Sequence, residues 1–225
     1  MFKNRAEAGR LLGTALMQVA DEDVLVLGLP RGGVPVAREV ARALAAPLDV
    51  IVVRKLGLPH RPELAMGAIG EGGVSFIDWG VVSAAGVTGA QLSKVIRRER
   101  EVLEWKARLF RGDREPLDLE GRVVVIVDDG IATGSTVKAA VRVTRALATA
   151  RVIVAAPVGP ADTVEDLRSV SDAVLVLETP EPFYGIGQFY DDFSPTSDSE
   201  VLAALGGGQS IRPRQLSMSA TAIDL

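Results

Sequence analysis

The sequence predicts an α/β fold, a doubly wound, mostly parallel sheet of about five strands flanked by helices. Short runs rich in Val, Ile and Leu recur along the chain, and such runs are typical of strands buried on both faces. Helical apolar periodicity follows several of these runs, as parallel strands with helical connections require. The 225 residues suit one such domain with a small cap.

The composition excludes several classes of function. With 25 basic and 29 acidic residues the net charge is −4, so we expect no nucleic-acid or membrane surface. The absence of cysteine excludes disulfides, thiolate catalysis and Cys-ligated zinc, and the single histidine, His60, excludes multi-histidine metal sites. The N-terminal segment is charged and no apolar run reaches the ~18 residues of a membrane span, so we expect a cytoplasmic protein.

The N-terminal region predicts a helix, a strand and a glycine-rich loop. Residues 4–20 have an amphipathic pattern that Asn4 caps, with Glu7 at the position of a capping box. A buried strand is predicted over residues 24–29. The loop 30–33 then leads into a second helix, and it can present backbone N–H groups to an anion.

A second buried strand is predicted over residues 49–53, and it ends in Arg54 and Lys55. Two cations at the carboxyl end of a strand lie on the edge where doubly wound sheets bind ligands. Residues 57–73 contain many glycines and show no helical period, so we expect a long loop that is functional or mobile. His60 in this loop fits a bystander as well as a phosphate ligand.

The remaining elements are scaffold in this interpretation. A charged helix over residues 91–111 keeps most of the charges at 97–101 outside, and it fits a packing helix or a homodimer contact. The other predicted elements are a short strand at 74–77, strands at 151–156 and 173–177, and a helix at 163–170.

The stretch 123–136, VVVIVDDGIATGST, carries the chemistry. A buried strand runs into Asp128 and Asp129, then into a Gly/Ser/Thr loop and the start of a helix. The backbone N–H groups at this helix start attract a phosphate, and Gly134 lets the backbone approach it. Carboxylates repel phosphate, but they accept hydrogen bonds from a vicinal diol or hold hydrated Mg²⁺. The combination describes a ribose-5-phosphate site.

Other interpretations of this stretch fit less well. A Walker loop needs a lysine directly after its second glycine, and none of the glycines is followed in that way. A phosphatase motif with acids two apart is not present, because Gly130 and Ile131 occupy those places. An ordinary strand-to-helix turn whose acids cap the helix stays open.

VVVIVDDGIATGST resembles the phosphoribosyl pyrophosphate (PRPP) signature of type I phosphoribosyltransferases. The resemblance covers roughly residues 1–205, and residues 206–225 are expected to form a flexible tail. It implies transfer of the 5-phosphoribosyl group between PRPP and a nitrogenous base, with Mg²⁺ as cofactor and pyrophosphate as leaving group. Two alternatives stay open, a non-catalytic PRPP-binding regulatory module and a nucleotide-binding protein of another family.

The resemblance also implies roles for residues. The carboxylates of Asp128 and Asp129 would hold the ribose hydroxyls, directly or through metal-bound water, while cations and Mg²⁺ would neutralise pyrophosphate. The cations are Arg54 and Lys55, with Arg31 in the pyrophosphate loop, which in the family often contains a non-proline cis peptide. The segment 57–73 corresponds to the family's flexible catalytic loop. The residues implied in substrate binding are Arg31, Gly32, Gly33, Ile131, Ala132, Thr133, Gly134, Ser135 and Thr136.

Aromatic residues concentrate between 183 and 193, past the last predicted strand. In the resembled family a cap called the hood covers the base, and we expect a hood contribution from about 179–205, with Phe183 and Tyr184 stacking on the base. The alternative is that Phe183, Phe189 and Phe193 only anchor the chain to the sheet.

One position bears on the choice of base. Hypoxanthine-guanine members of the family usually have an Asp directly before the Thr-Gly of the signature, and this chain has Ala132 there. A methyl group cannot exchange a proton, so an acceptor outside that class is expected. Asp191 or Asp192 could substitute for the missing acid.

Overall fold

A five-stranded parallel sheet forms the centre of the computed structural model, which describes residues 1–111 and 114–206. Its strands are β1 (Val24–Gly28), β2 (Leu48–Val50), β6 (Val123–Val127), β7 (Arg151–Val158) and β8 (Ala173–Glu178). Neighbouring strands all pair in parallel, in the order β2-β1-β6-β7-β8. The predicted fold is therefore confirmed.

Helices cover both faces of this sheet. The helices are α1 (Arg5–Ala15), α2 (Gly33–Ala43), α3 (Trp79–Ala84), α4 (Gly89–Arg111), α5 (Ser135–Arg145), α6 (Ala161–Arg168) and α7 (Asp198–Gly206). Val24 and Val26 of β1 pack with α1 and α2, while the alternating Leu25 and Leu27 pack with α5. Because successive side chains of a strand point to opposite faces, β1 is buried on both sides.

The N-terminal helix begins as its sequence predicts. The Asn4 side chain accepts a hydrogen bond from the Glu7 N–H at 3.0 Å, and the Glu7 carboxylate accepts one from the Lys3 N–H at 2.6 Å. The helix ends at Ala15 and a 3-10 turn follows at Met17–Val19, so it is shorter than the predicted 4–20. No helix in the described part of the chain is long and apolar enough to cross a bilayer.

A second, antiparallel sheet corrects the prediction of an irregular loop at 57–73. Its strands are β3 (Val53–Leu58), β4 (Arg61–Gly70) and β5 (Ser75–Ile77), and they form the small hood. The glycines that suggested a loop allow close approach of backbones, because a Cβ on Gly57 or Gly67 would collide with the backbone of Pro62 or Phe76.

The predicted strand at 49–53 was also misplaced. The core strand β2 ends at Val50, and the chain enters the hood at Val53, so Arg54 and Lys55 lie inside β3 and not at the end of a core strand. The apolar run is continuous through this change of sheet, and a run of that kind does not show where one strand stops. A contribution of 179–205 to the hood stays a prediction. The predicted tail, 206–225, lies outside the described residues except for Gly206.

The strand order places one switch point between β1 and β6. From β1 the chain moves outward to β2, and from β6 it moves in the other direction through β7 to β8. Ligands of doubly wound sheets bind in the crevice outside the carboxyl ends of strands at such a point.

A buried ion network joins the two sheets to α4. Arg111, at the end of α4, donates to both carboxylate oxygens of Asp49 in β2, at 2.7 and 2.6 Å. It also donates to the carboxylate of Glu71, just after β4, and to the Val50 carbonyl. The side chains of Arg111 and Asp49 are 8% and 7% exposed, so the charges depend on each other for solvation.

We expect Arg111→Leu to lower the free energy of unfolding by at least about 3 kcal/mol, because it leaves the Asp49 carboxylate buried without its cation. Urea unfolding measures the change. Arg108→Leu is the matched control, since Arg108 is exposed on the same helix. Equal stability of the two variants would contradict the structural role of the network.

Candidate active site at the sheet switch point

Two loops meet at the switch point. The Leu29 N–H at the end of β1 donates to the Val127 carbonyl at the end of β6, at 2.9 Å. Gly32 lies against the Asp129 carboxylate so closely that a Cβ there would collide with it. A Cβ on Gly33 would lie 2.6 Å from the Val127 carbonyl oxygen. The Pro30–Arg31 peptide bond in the same loop is cis.

The loop before α5 has the geometry of a phosphate cup. Gly134 has a φ of 68°, in the left-handed region that favours glycine, and the helix begins at Ser135 without a side-chain cap. The first-turn N–H groups of a helix lack partners within the helix, so they remain available to an anion. The hydroxyls of Thr133 and Ser135 lie 3.2 Å apart, and Thr136 is exposed beside them.

The two acids are not equivalent. The Asp129 carboxylate accepts a hydrogen bond from Arg5 Nε at 2.8 Å, and these side chains are only 11% and 12% exposed. The Tyr190 hydroxyl donates to the Asp129 carbonyl at 2.6 Å. The Arg5 guanidinium also lies 4.0 Å from the centre of the Phe193 ring. Asp129 is thus fixed from several sides, whereas the Asp128 carboxylate accepts from the Asp129 N–H at 2.9 Å.

The electrostatics of this pair suit a bound cation. Burial, and then the neighbouring charge of Asp129, hold the pKa of Asp128 well above its ordinary value. A divalent cation would relieve that repulsion. No group of three or more acidic, histidine or cysteine residues able to hold a metal occurs within 1–111 and 114–206. Asp128 and Asp129 are the residues that could hold Mg²⁺, which commonly takes one or two carboxylates and completes its shell with water and substrate phosphates.

A cavity of about 400 Å³ opens beside the two loops. Pro30 of the first loop, Thr136 of α5 and residues of β3 and α4 line it. Its charged lining consists of four cations and one carboxylate: Arg54, Lys55, Arg98, Lys106 and Glu99. The predicted pair Arg54 and Lys55 thus lines the cavity, but from strand β3 of the hood and not from the end of a core strand.

All three predicted cations already have partners. Arg54 Nε donates to the Glu99 carboxylate at 2.9 Å, and Lys55 Nζ donates to the Glu63 carbonyl at 3.0 Å. Arg31 NH1 lies 3.5 Å from Asp198 Oδ1, with both side chains largely exposed. Glu99 is buried, and its Arg54 and Arg98 hydrogen bonds lower its pKa against the opposing effect of burial.

Two other predicted binding residues, Ile131 and Ala132, differ in their exposure. Ile131 is 1% exposed and its N–H donates to the Val158 carbonyl, so it supports the loop from the core and does not face the cleft. Ala132 is exposed, and its carbonyl accepts from the Thr163 hydroxyl at 3.0 Å.

Most aromatic side chains of the segment 183–193 pack against other rings and do not form an exposed stacking surface. Phe183 stacks on Phe189 at 5.4 Å between ring centres, and Tyr190 packs on Phe2 and Phe193. Tyr184, in contrast, is 86% exposed. The segment lies beside the signature, because Ile186 packs on Gly130. Base stacking by Phe183 and Tyr184 therefore stays a prediction.

Sequence reasoning missed Arg5, Tyr190, Glu99 and Lys106. Arg5 and Tyr190 reach the site from opposite ends of the chain. No local pattern marks Arg5, and the aromatic concentration at 183–193 includes Tyr190 but does not indicate its hydrogen bond to the Asp129 carbonyl. Glu99 and Lys106 did leave a signal. They fall seven residues apart on the stripe of α4 that also carries the buried Leu103 and Phe110, where a charged side chain is unexpected.

Comparison with known proteins agrees with this geometry. The family model for the phosphoribosyl transferase domain matches residues 3–193. The chain belongs to the phosphoribosyl transferase family. Its fold is similar to the crystal structure of TT1426 from Thermus thermophilus, with a TM-score of 0.85, 42% identity, and coverage of 91% of this chain and 97% of that one.

The chain is also 50% identical over 205 residues to Rv0571c of Mycobacterium tuberculosis strain H37Rv, whose name assigns it provisionally to the phosphoribosyl transferases. The corresponding protein of strain CDC 1551, MT0597, matches to the same extent. The match covers 91% of this chain but 46% of either relative, so the chain spans about half the length of the relatives it matches.

We expect Arg5→Met to lower the free energy of unfolding by about 3 kcal/mol, because the Asp129 carboxylate then stays buried without its cation. Arg168→Met is the control, since its ion pair with Glu165 is exposed and such pairs contribute about 0–1 kcal/mol. Thermal or urea unfolding compares them. A loss no larger for Arg5→Met than for Arg168→Met would show that Asp129 does not need Arg5.

Proposed function

We propose that the protein transfers the 5-phosphoribosyl group between PRPP and a nitrogenous base, with Mg²⁺ and with pyrophosphate as leaving group. The observation that carries the proposal is the junction of two loops with a cation-lined cavity at the switch point. The helix start and the two acids lie at the junction of the loops, and the cations line the cavity that opens beside it. These groups suit the phosphate, the sugar and the diphosphate of one molecule.

The reaction places positive charge on the ribose and negative charge on the departing pyrophosphate. Arg54 and Lys55, which line the cavity, would stabilise the negative charge, and Arg31 extends from the adjoining loop. Mg²⁺, when bound, supplies further positive charge to the diphosphate oxygens. Exclusion of water protects PRPP from hydrolysis, and closure of the β3–β4 hairpin, whose Gly57 and Pro62 line the cavity, would provide it.

The sugar and its phosphate would be held on the signature loop. The 5-phosphate would accept from the N–H groups at the start of α5 and from the hydroxyls of Thr133, Ser135 and Thr136. Asp128 would accept from a ribose hydroxyl and stabilise positive charge on the ring. Asp129, already bonded to Arg5, would fix the loop and offer its remaining lone pairs to a hydroxyl or to metal-bound water.

Removal of charge from the acids tests the sugar site. We expect Asp128→Asn to weaken Mg–PRPP binding or turnover at least tenfold, ~1.4 kcal/mol, because an amide oxygen is a weaker acceptor and carries no charge. Isothermal titration calorimetry measures the binding. Asp166→Asn is the control, since Asp166 is an exposed acid on α6. Wild-type affinity in both Asp128→Asn and Asp129→Asn would refute the ribose assignment.

A PRPP-binding regulatory module is a second candidate. Glu99 neutralises Arg54, one of the cations that the transfer reaction needs, and a protein that only binds PRPP does not have to stabilise a leaving group. The length of the M. tuberculosis relatives also allows the domain to serve a larger protein. Binding of Mg–PRPP without pyrophosphate release for any base would favour this candidate.

Ala132 bears on the class of base that the protein accepts. The position where hypoxanthine-guanine members usually carry a proton-exchanging Asp holds an exposed methyl group. We propose an acceptor outside that class, bound by backbone groups and by the exposed Tyr184, with Phe183 beside it. Asp191 and Asp192 are the acids of the aromatic segment that could replace the missing one.

A screen of bases with Mg–PRPP, read as pyrophosphate release, tests this inference. We expect adenine, uracil or orotate to release pyrophosphate faster than hypoxanthine or guanine, because Ala132 cannot donate to or accept from a 6-oxopurine. Efficient release with hypoxanthine or guanine, and little with the other bases, would show that the inference from Ala132 is wrong.

A further inference from the structure

The cation-lined cavity contains a charge that the proposed function leaves without a role. Lys106 of α4 lines the cavity with Arg54 and Thr136, and its side chain is partly buried. In the part of the chain that the structure describes, Lys106 has no hydrogen-bond or ion-pair partner. The other cations of the cavity are bonded, Arg54 and Arg98 to Glu99 and Lys55 to the Glu63 carbonyl.

The surroundings of Lys106 disfavour the charged form of its side chain in the absence of a ligand. Burial, and then the positive charges of Arg54 and Arg31, lower the pKa of Lys106, and Asp198 opposes this effect only in part. Like charges that converge in a partly buried place raise the energy of the ligand-free protein unless an anion joins them. Because lysine carries a flexible stem and a compact charge, it can follow an anion into the cavity.

We infer that Lys106 is a binding residue for the diphosphate group, which it would contact together with Arg54 in the cavity. The inference rests on the proposed function, because it names a further residue at the same site. A diphosphate fits the chemistry better than a single phosphate. The 5-phosphate has its own donors at the start of α5, whereas several dispersed cations suit an anion with several charged oxygens.

The position of Lys106 on α4 supports this assignment. Glu99 and Lys106 lie on the same stripe, about two helical turns apart, and both line the cavity. Glu99 holds Arg54 in place through its carboxylate, so the arginine is oriented before a ligand arrives. Lys106 then supplies the positive charge that Glu99 removes, and the cavity retains an excess of cations for the ligand.

The test compares two probes that differ in the diphosphate. Calorimetry measures binding of inorganic pyrophosphate and of ribose 5-phosphate, each with Mg²⁺, to the full chain. We expect Lys106→Met to weaken pyrophosphate binding about tenfold, ~1.4 kcal/mol, while ribose 5-phosphate binding changes less than about twofold. Lys106→Arg keeps the charge and should restore most of the affinity. Lys94→Met, at an exposed position of the same helix, is the matched control.

Each outcome decides the inference. Unchanged pyrophosphate affinity in Lys106→Met, or no pyrophosphate binding by the wild type, would overturn it. Equal losses for both probes would show a structural role, and Lys106→Gln repeats the comparison if the Met variant fails to fold. Failure of the proposed function looks different. The wild type would then bind pyrophosphate through Lys106 yet show neither affinity for Mg–PRPP nor pyrophosphate release.

Discussion

Contact between the two loops at the switch point determines the geometry of the whole site. β1 and β6 are hydrogen-bonded neighbours, so the loops that follow their carboxyl ends begin side by side and remain in contact. The first loop fits only because Gly32 and Gly33 have no side chains to meet Asp128 and Asp129. The loop 30–33 and the acids are therefore positioned by the sheet itself, and a ligand that bridges them meets a preformed surface.

Ion pairs around this contact keep the charged groups in position without a ligand. Arg5 bonds Asp129, and Glu99 bonds Arg54, with most of these side chains shielded from water. A charge buried alone costs several kcal/mol, about 3–5 when one partner of a buried pair is removed. The pairs therefore stabilise the fold, and they also orient the acid and the cation. Within residues 1–111 and 114–206, Asp128 and Lys106 have no such ion-pair partner, so they are the groups with most to gain from a ligand.

The sequence predicted the parts of the molecule that depend on neighbours along the chain. The strand over 123–127, the acids and the glycine loop form one continuous segment, so their pattern survives in the sequence. The Arg5–Asp129 pair joins residues 124 positions apart, and no local rule connects them. A small hood was predicted, but its strands β3 and β4 were missed, because strand glycines such as Gly57 and Gly67 are selected by close backbone contact with other segments, which lowers the apparent strand propensity.

Helix α4 connects the stability of the fold with the site. Its last residue, Arg111, holds β2 of the core sheet and the end of β4 of the hood in one ion network. About three turns earlier the same helix presents Glu99 to Arg54 of β3. The position of the hood cations relative to Thr136 therefore depends on the packing of α4, together with the direct packing of β3 and β4 on α5. Arg111 does not line the cavity, yet a change at Arg111 acts on the hood through the same helix that holds Arg54.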